Sequence, residues 1–294
     1  MHHSSRSIPL AAVLALVLTL ALAGLAAPAG AAVVASSTFD TDDDGWTWLD
    51  TLDLDTPLTP TYVPTGGNLG GHILATDPSV GAYVWVAPAP FLGDLSGVID
   101  PEIFFDQISE GNAPPFDGEQ DLFLFGSELT LVRDEPGFPT DQWTTRSVRL
   151  EFDTGWTTFG DGPGRPSTPE DFEIVLADIE ILAIQAEFRL GGDTARLDNV
   201  FLLVTTPAEA AQDLLEEVEG LDLRRGAGAS LTARIETVAR LLGDGNPAND
   251  GGACGALTGF LAGVDNLERR GELSSAEADA LRESAAEIAG AVGC

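Results

Sequence analysis

The sequence predicts a mainly β protein, a jelly-roll β-sandwich followed by a small C-terminal α-helical bundle. All five Trp, both Tyr and all but one of the 14 Phe lie between Phe39 and Phe201. Beyond Pro207 the chain is rich in Ala, Leu and Glu, which is a change from strand-favouring to helix-favouring residues. We therefore expect a sandwich over residues 34–206 and a four-helix module over residues 207–294.

Short apolar or alternating segments, separated by Gly, Pro and Asp, predict the strands of the sandwich. These segments are residues 33–39, 72–75, 83–86, 103–107, 121–126, 129–133, 145–152, 181–188 and 192–203. The segment 145–152 alternates most clearly, with Val148 and Leu150 on one face and Arg149 and Glu151 on the other. About eight or nine strands with few helices predict a jelly roll.

The connections between these strands carry turn and helix signals. Residues 40–45 form an acidic turn, residues 57–71 a loop rich in Pro, Thr and Gly, and residues 91–94 a tight corner. The segment 168–178 predicts one short helix, because a Thr cap, a Pro and two acids open it.

The closing strand carries one carboxylate, Asp198, inside an apolar run. A buried charge without a partner is costly. The acidic turn after the first strand can supply polar partners if the first and last strands lie side by side. We therefore expect the sandwich to be closed by pairing between these two strands.

Four segments after residue 206 show apolar residues at helical spacing. The stripes are Leu214, Leu215 and Val218; Leu231, Ile235, Val238 and Leu242; Leu257, Phe260, Leu261, Val264 and Leu267; and Leu281, Ala285, Ile288 and Val292. Capping boxes open the first and last of these helices at Thr206 and Ser274, and Gly226 and Gly228 are expected to end the first. The four helices predict a small bundle.

Both cysteines of the chain, Cys254 and Cys294, lie in this helical module. In an exported protein they are expected to form one disulfide. The module is expected to be either a docking face for a partner protein or a stabilising cap on the sandwich.

Residues 1–32 have the features of a secretory signal peptide. Arg6 supplies a positive start, residues 9–25 form an apolar run, and Ala29-Gly30-Ala31 offers a cleavage site. An uncleaved anchor is the alternative, although the run is near the lower limit for spanning a bilayer. We expect the mature protein to be secreted, extracellular and without a membrane span.

The net charge of the chain is −33, and all 14 of its basic residues are arginines. Such an acidic protein repels nucleic acid and anionic membrane surfaces. We therefore expect no nucleic-acid partner.

A series of short motifs in the sandwich resembles the laminin B domain, also called laminin IV type A. The motifs are Ser37-Thr38-Phe39-Asp40, Gly45-Trp46, Gly70-Gly71-His72, Asp77, Ala87-Pro88, Phe91-Leu92-Gly93-Asp94, Gly126, Leu129-Thr130-Leu131, Trp143-Thr144, Trp156, Val175-Leu176-Ala177-Asp178, Gly192-Asp193 and Leu197-Asp198-Asn199-Val200. Their order and spacing cover nearly all of residues 36–204, and they indicate a secreted, bacterial type of this domain.

The resemblance implies a galactose-binding-like sandwich in a secreted or matrix-facing protein, without catalytic residues. The chain departs from the family after the corner, where Leu95-Ser96-Gly97 replaces a common Tyr-Gly-Gly. It also lacks the Cys-rich repeats that flank the domain in animal laminins. The resemblance therefore does not imply that this chain has the assembly partners of laminin.

The acidic turn is the best metal-site candidate. Asp40, Asp42 and Asp44 alternate before Gly45, which resembles the start of a calcium loop. The acid of the twelfth loop position is absent, because Thr51 stands there, so the turn is not an EF-hand. One interpretation is a structural calcium ion that joins Asp40 or Asp44 to Asp198 across the two terminal strands, with Asp42 as a further candidate ligand. The alternative is a solvated acidic turn.

Several aromatic residues could stack on sugar rings or pack in the core. Trp48 and Trp143 stand among polar turn residues and are the candidate ligand-binding residues, whereas Trp85 lies in an apolar strand and is expected in the core.

Catalysis has little support in the sequence. His72 is the single histidine after the leader, and no Gly-x-Ser-x-Gly motif is present. We expect a non-catalytic binding or adhesion module for an extracellular glycan or matrix polymer. The alternatives are a structural or protein-interaction component that docks through the C-terminal helices, and a hydrolase that uses His72 or a pair of acids.

Overall fold

The computed structural model describes residues 31–294, with the exception of residues 51–52, 77–81, 116–119, 160–163, 190, 222 and 247. Within these residues the chain forms two antiparallel sheets and, after them, four α-helices. The predicted fold class, a jelly-roll sandwich followed by a helical bundle, is confirmed. The predicted signal peptide lies outside the described residues, apart from Ala31 and Ala32.

Along the chain the strands pass from one sheet to the other, either singly or in consecutive pairs. They are β1 (Ala31–Ser37), β2 (Thr47–Asp50), β3 (Asp53–Leu58), β4 (Thr61–Val63), β5 (His72–Thr76), β6 (Tyr83–Val86), β7 (Ile99–Gly111), β8 (Leu122–Gly126), β9 (Thr130–Arg133), β10 (Thr144–Arg149), β11 (Thr157–Phe159), β12 (Ile179–Gln185) and β13 (Asp193–Thr205). Sheet I has the order β10-β7-β13-β5-β4, with β1 also paired to β13, and sheet II has the order β11-β9-β8-β12-β6-β2-β3.

The first and last strands pair with each other, as expected. β1 runs antiparallel to β13 from Ala31 opposite Thr205 to Ser37 opposite Val200. The other half of the same edge of β13 is taken by β5, which pairs with residues 194–197. The opposite edge of β13 pairs with β7. β13 is therefore the central strand that ties both ends of the sandwich together.

The described residues contain more strands than the eight or nine that were expected. The additional ones, β2, β3, β4 and β11, are three to six residues long. β4 and part of β3 lie in the segment that was expected to be a loop. These strands carry no long apolar run, and neighbouring strands, rather than their own sequences, hold them in the sheets.

The core of the sandwich is made by the inward faces of both sheets. Its largest fully buried side chains are Trp46, Trp85, Trp156, Tyr83, Phe39, Phe91 and Phe105. Trp85 is in the core as expected. Trp46 and Trp156 satisfy their indole N–H groups by donating to Ser37 Oγ and to the Arg149 carbonyl. Aromatic side chains of this kind bury about 150–250 Å² each, so they contribute strongly to the apolar area that the sandwich removes from water.

The helices follow the predicted caps. They are α1 (Pro169–Leu176), α2 (Pro207–Gly220), α3 (Arg225–Leu242), α4 (Gly251–Arg269) and α5 (Ser275–Ala291). α1, α2 and α5 each begin with a complete capping box, at Thr168, Thr206 and Ser274. The expectation that Gly226 and Gly228 end the first helix of the module is wrong, because α2 ends at Gly220 and both glycines lie in the first turns of α3.

The helical module has its own apolar core around Phe260, Ile235 and Leu281, which are fully buried. Ile99 at the start of β7 joins this core, so the module packs against the end of the sandwich. The predicted disulfide is confirmed, since Cys254 in the first turn of α4 is bonded to Cys294 after α5. Among the described residues, no helix has the length and apolar character needed to cross a membrane.

Thr206→Ala is expected to lower the free energy of unfolding by about 1 kcal/mol. The Thr206 hydroxyl accepts from the Glu209 N–H, and Glu209 Oε2 accepts from the Thr206 N–H at 2.9 Å, so the substitution opens the capping box of α2. Chemical denaturation followed by circular dichroism measures the change. Thr237→Ala on α3 is the matched control, because the Thr237 hydroxyl bonds only a carbonyl within the helix. An equal loss in both variants would contradict the capping argument.

Candidate functional site

The acidic turn uses its carboxylates to hold its own backbone. Asp42 Oδ1 accepts from the Asp44 N–H at 2.9 Å, and Asp43 Oδ1 accepts from the Gly45 N–H at 3.0 Å. Asp44 Oδ2 accepts from the Phe39 N–H at 3.1 Å. Asp40 Oδ2 accepts from the Thr38 hydroxyl. These bonds explain the alternating acids as turn-forming residues.

Asp198 is fully buried at an irregular point of β13. The next residue, Asn199, has φ 47°, a conformation that Asn tolerates better than most residues. Asp198 accepts the N–H groups of Asn68 and Asn199, both at 2.7 Å. The predicted partner, the acidic turn, therefore does not bond Asp198, and the loop between β4 and β5 does so instead.

The neighbourhood of Asp198 is negatively charged. Burial, together with the nearby carboxylates of Asp106 and Asp40, raises the pKa of Asp198 to about 7, against the effect of the two N–H bonds. Asp106 of β7 is paired with Asp198 of β13 and accepts from the side-chain amides of Asn68 and Asn199. Asn68 and Asn199 therefore supply most of the donors that this buried acidic pair requires.

The predicted calcium ligands do not form one donor set in this structure. Among the described residues, no group of three or more His, Cys, Asp or Glu side chains could hold a metal ion. Asp42 and Asp44 are bonded within the turn, and Asp198 is bonded to backbone N–H groups. The four carboxylates are thus not gathered into one ligand set among the described residues, and calcium at Asp40, Asp42, Asp44 and Asp198 stays a prediction.

The two candidate tryptophans have different environments. Trp48 in β2 is only 8% exposed and packs edge-to-face on Tyr83, so its expected surface position is wrong. The pairing of β2 with β6 places it opposite Trp85, on the core side of sheet II. Trp143 is half-buried and donates its indole N–H to the Gly66 carbonyl at 3.3 Å. Its ring lies edge-on to His72, with 5.7 Å between centroids.

His72 is buried and has a structural environment. Its Nε2 lies 2.9 Å from Arg196 Nη1, and Arg196 also pairs with Glu110. Burial lowers the pKa of His72, and the Arg196 charge lowers it further. An inaccessible imidazole held by a guanidinium is unsuited to general-base chemistry on an external substrate.

The outer face of sheet II carries three phenylalanines that we call the phenylalanine surface: Phe123 and Phe125 of β8 and Phe159 of β11. The rings of Phe123 and Phe125 are nearly parallel, with centroids 6.1 Å apart. Phe159 stands edge-on to Phe123 at 6.4 Å and is 53% exposed. These aromatic rings are thus partly open to solvent on one side of the sandwich.

Strand pairing extends this surface across the sheet. Directly paired residues of antiparallel strands share a face. Two rows of paired residues contain the three rings. The first row is Phe159, Thr130, Phe125 and Ile181. The second row is Thr157, Val132, Phe123, Ala183 and Val86. None of these nine side chains is charged. The surface is therefore apolar with hydroxyl groups at intervals.

The phenylalanine surface was not among the sequence predictions, although a signal for it exists. The segment Leu122-Phe123-Leu124-Phe125 alternates with period two. The leucines are fully buried in the core, so the phenylalanines must point outward. An outward aromatic pair in a strand of an acidic protein is the feature that could have been recognised.

Most of the sandwich and the first helix of the helical module are similar to a known protein family. The model of the family described as Laminin B (Domain IV) matches residues 84–219. The match begins in β6 and ends in α2.

One relative of this chain is a much longer protein. The basement membrane-specific heparan sulfate proteoglycan core protein of Mus musculus is 26% identical over 150 residues, which are 50% of this chain and 4% of that protein. The chain therefore spans a small part of that relative.

Two solved structures are similar to part of this chain. The L4b domain of human laminin alpha-2 has a TM-score of 0.47 and 19% identity, covering 58% of this chain and 97% of that domain. The family 11 carbohydrate-binding module of a Clostridium thermocellum cellulase has a TM-score of 0.36 and 15% identity, covering 58% of this chain and 95% of that module.

Proposed function

We propose that the chain carries a laminin B domain, and that this domain is an extracellular module that binds a neutral glycan or a neutral matrix polymer through the phenylalanine surface. The observation that carries the proposal is the group of three partly exposed rings on one sheet face, with Phe159 53% exposed. Solvent-exposed aromatic groups of this kind are unusual on a monomeric domain unless they meet a ligand.

The chemistry of the surface favours a neutral polymer. Aromatic rings offer flat apolar faces to the C–H faces of a ligand, and Thr130 and Thr157 in the same rows offer hydroxyl groups for hydrogen bonds. The net charge of −33 disfavours a polyanionic ligand. The nine residues of these two rows carry no charged side chain, so they do not require an ionic ligand either.

The proposal includes an extracellular location and excludes catalysis. A disulfide between Cys254 and Cys294 is typical of proteins in oxidising compartments. The predicted signal peptide at residues 1–32 supports export. His72, the candidate for general-base chemistry, is enclosed and paired with Arg196.

The test is binding of the purified protein to neutral polysaccharides, β-glucans and xylan among them, by isothermal titration calorimetry. The variant Phe123→Ala with Phe159→Ala is expected to weaken binding roughly tenfold or more, because each ring contributes on the order of 1 kcal/mol. Circular dichroism checks that the variant is folded.

The matched control is Phe152→Ala. Phe152 is also an exposed phenylalanine, at 40%, but it lies outside the phenylalanine surface, in a short helical turn before β11. Its removal is expected to leave affinity unchanged. Absence of binding to every neutral polymer, or equal weakening in the control, would refute the proposal. Repeating the titration with calcium and with EDTA tests the predicted ion separately.

A further inference from the structure

The helical module contains a groove between α3 and α4, with a volume of about 570 Å³. Three arginines line it, Arg224, Arg234 and Arg270. We propose that this groove binds a short acidic peptide segment of a partner protein. The site is separate from the phenylalanine surface, and the proposal does not depend on glycan binding.

The charge of the groove is opposite to that of the protein. The whole chain has 47 acidic residues and 14 basic residues, all of them arginines, and three of these arginines line the groove. Among the described lining residues, Glu272 is the single acid. The groove therefore carries a formal charge of about +2 by this count, on a protein of net charge −33. Such a local reversal of sign points to an anionic ligand.

One of the three guanidinium groups has no ion-pair partner within the described part of the chain. Glu272 is largely buried, with its carboxylate 2.9 Å from Arg270 Nη2 and 3.9 Å from Arg224 Nε. Arg234 makes no ion pair or side-chain hydrogen bond with any residue that the structure describes. Its five donors are thus available to a carboxylate, which a guanidinium binds in a bidentate manner.

Glycines on α4 create the space for Arg234. A Cβ atom at Gly259 would lie 1.9 Å from Arg234 Nη1, so the guanidinium rests directly on the α4 backbone. A Cβ atom at Gly263 would lie 2.7 Å from Leu231 Cδ2. Because Gly259 and Gly263 have no side chains, the groove stays open and the Arg234 guanidinium can lie over the α4 backbone inside it.

The first turn of α3 adds to the positive potential. Gly226 and Ala227 of this turn line the groove, and α3 has no side-chain cap at its start. The N-terminus of an 18-residue helix carries a partial positive charge that favours anions. This contribution has the same sign as the arginines and reinforces them.

The occupant that fits best is a short peptide rather than a long polyanion. The floor includes Leu231 and Leu267, which can contact an apolar side chain between two acidic ones. A long nucleic acid or sulfated polysaccharide would extend over the acidic surface of the rest of the protein and be repelled. A segment with two or three carboxylates stays within the groove, and charge outside it is screened over about 8 Å at physiological salt.

The test is fluorescence anisotropy of the purified protein with a labelled hexapeptide of alternating Glu and Leu. Arg234→Gln is expected to weaken binding about fivefold, the effect of one partly exposed ion pair, and Arg234→Gln with Arg270→Gln more than tenfold. Gly259→Ala is expected to weaken binding as well, because the methyl group displaces the Arg234 guanidinium. Higher NaCl concentration is expected to lower the affinity of the unmodified protein.

The control variant is Arg240→Gln, an exposed arginine on the same helix that does not line the groove, and it is expected to bind normally. The control ligand is the hexapeptide with Gln in place of Glu. The proposal is overturned if no peptide binds, or if the Gln peptide binds equally. It is also overturned if Arg234→Gln has no effect, or if a sulfated oligosaccharide binds more tightly. Concentration-dependent dimerisation that Arg234→Gln abolishes would identify a second copy as the occupant instead.

Discussion

Reduction of the Cys254–Cys294 disulfide is expected to lower the stability of the helical module by about 4 kcal/mol. The bond closes a loop with a sequence separation of 40 and joins α4 to the end of α5. A module of about 90 residues has a limited apolar core and gains much from such a constraint. Loss of the bond removes a restriction on the unfolded chain, while the helices keep their native contacts.

Two spectroscopic signals separate the module from the sandwich. All five Trp lie in the sandwich, so Trp fluorescence reports on that part alone. Far-ultraviolet circular dichroism is dominated by α2 to α5. In guanidinium denaturation with a reducing agent, the dichroism transition is expected to move to a lower concentration than in the oxidised protein, and the fluorescence transition to move less.

A double variant provides the control for the disulfide. Cys254→Ser with Cys294→Ser is expected to match the reduced protein and to be insensitive to the reducing agent. An unchanged dichroism transition on reduction would contradict the expected contribution of the bond.

Helices were predictable here because their signals are local. Each capping box lies within four residues, and each apolar stripe within one helix. The short strands β2 and β11 were not predicted, because three or four residues give little pattern. Their partners β6 and β9 supply the pairing that keeps them extended.

The candidate site was harder to predict, because its contacts join residues that are far apart in the sequence. Asp198 was recognised as a buried carboxylate, but its partner Asn68 is 130 positions away in an irregular loop. Trp48 lies in β2 and Phe123 in β8, and the packing of the two sheets decides which face of each strand points into the core. The sequence around Trp48 suggested a turn, whereas β2 places its ring against Tyr83.

Stability of the sandwich is expected to fall as pH rises from about 5 to about 7, by roughly 2 kcal/mol for Asp121. Asp121 is 3% exposed before β8, and burial raises its pKa to about 7. The Arg146 guanidinium opposes that rise, but its Nη1 lies 3.7 Å from the carboxylate, beyond hydrogen-bond distance. The Glu135 N–H donates to Asp121 Oδ2 at 2.6 Å.

The direction follows from proton binding by the two states. The unfolded carboxyl releases its proton near its usual value of 3.8, whereas the folded one keeps it until about pH 7. The folded state therefore binds more protons across this interval, and its advantage is complete at low pH and lost as pH rises through the folded pKa. Burial also raises the pKa of Asp198 to about 7, so Asp198 contributes in the same direction.

Urea denaturation followed by Trp fluorescence at several pH values measures this slope. Asp121→Asn is expected to reduce the slope without abolishing it, because Asp198 still titrates near the same pH, while the lowered pKa of His72 contributes in the opposite direction in both proteins. The amide oxygen can still accept the Glu135 N–H, and absolute stability changes because Arg146 loses a charged neighbour, so the slope is the quantity to compare. Asp141→Asn, at an exposed position, controls for the general repulsion among carboxylates and is expected to keep the full slope. A slope that is the same in Asp121→Asn and the unmodified protein would show that Asp121 is ionised in the folded state throughout this range.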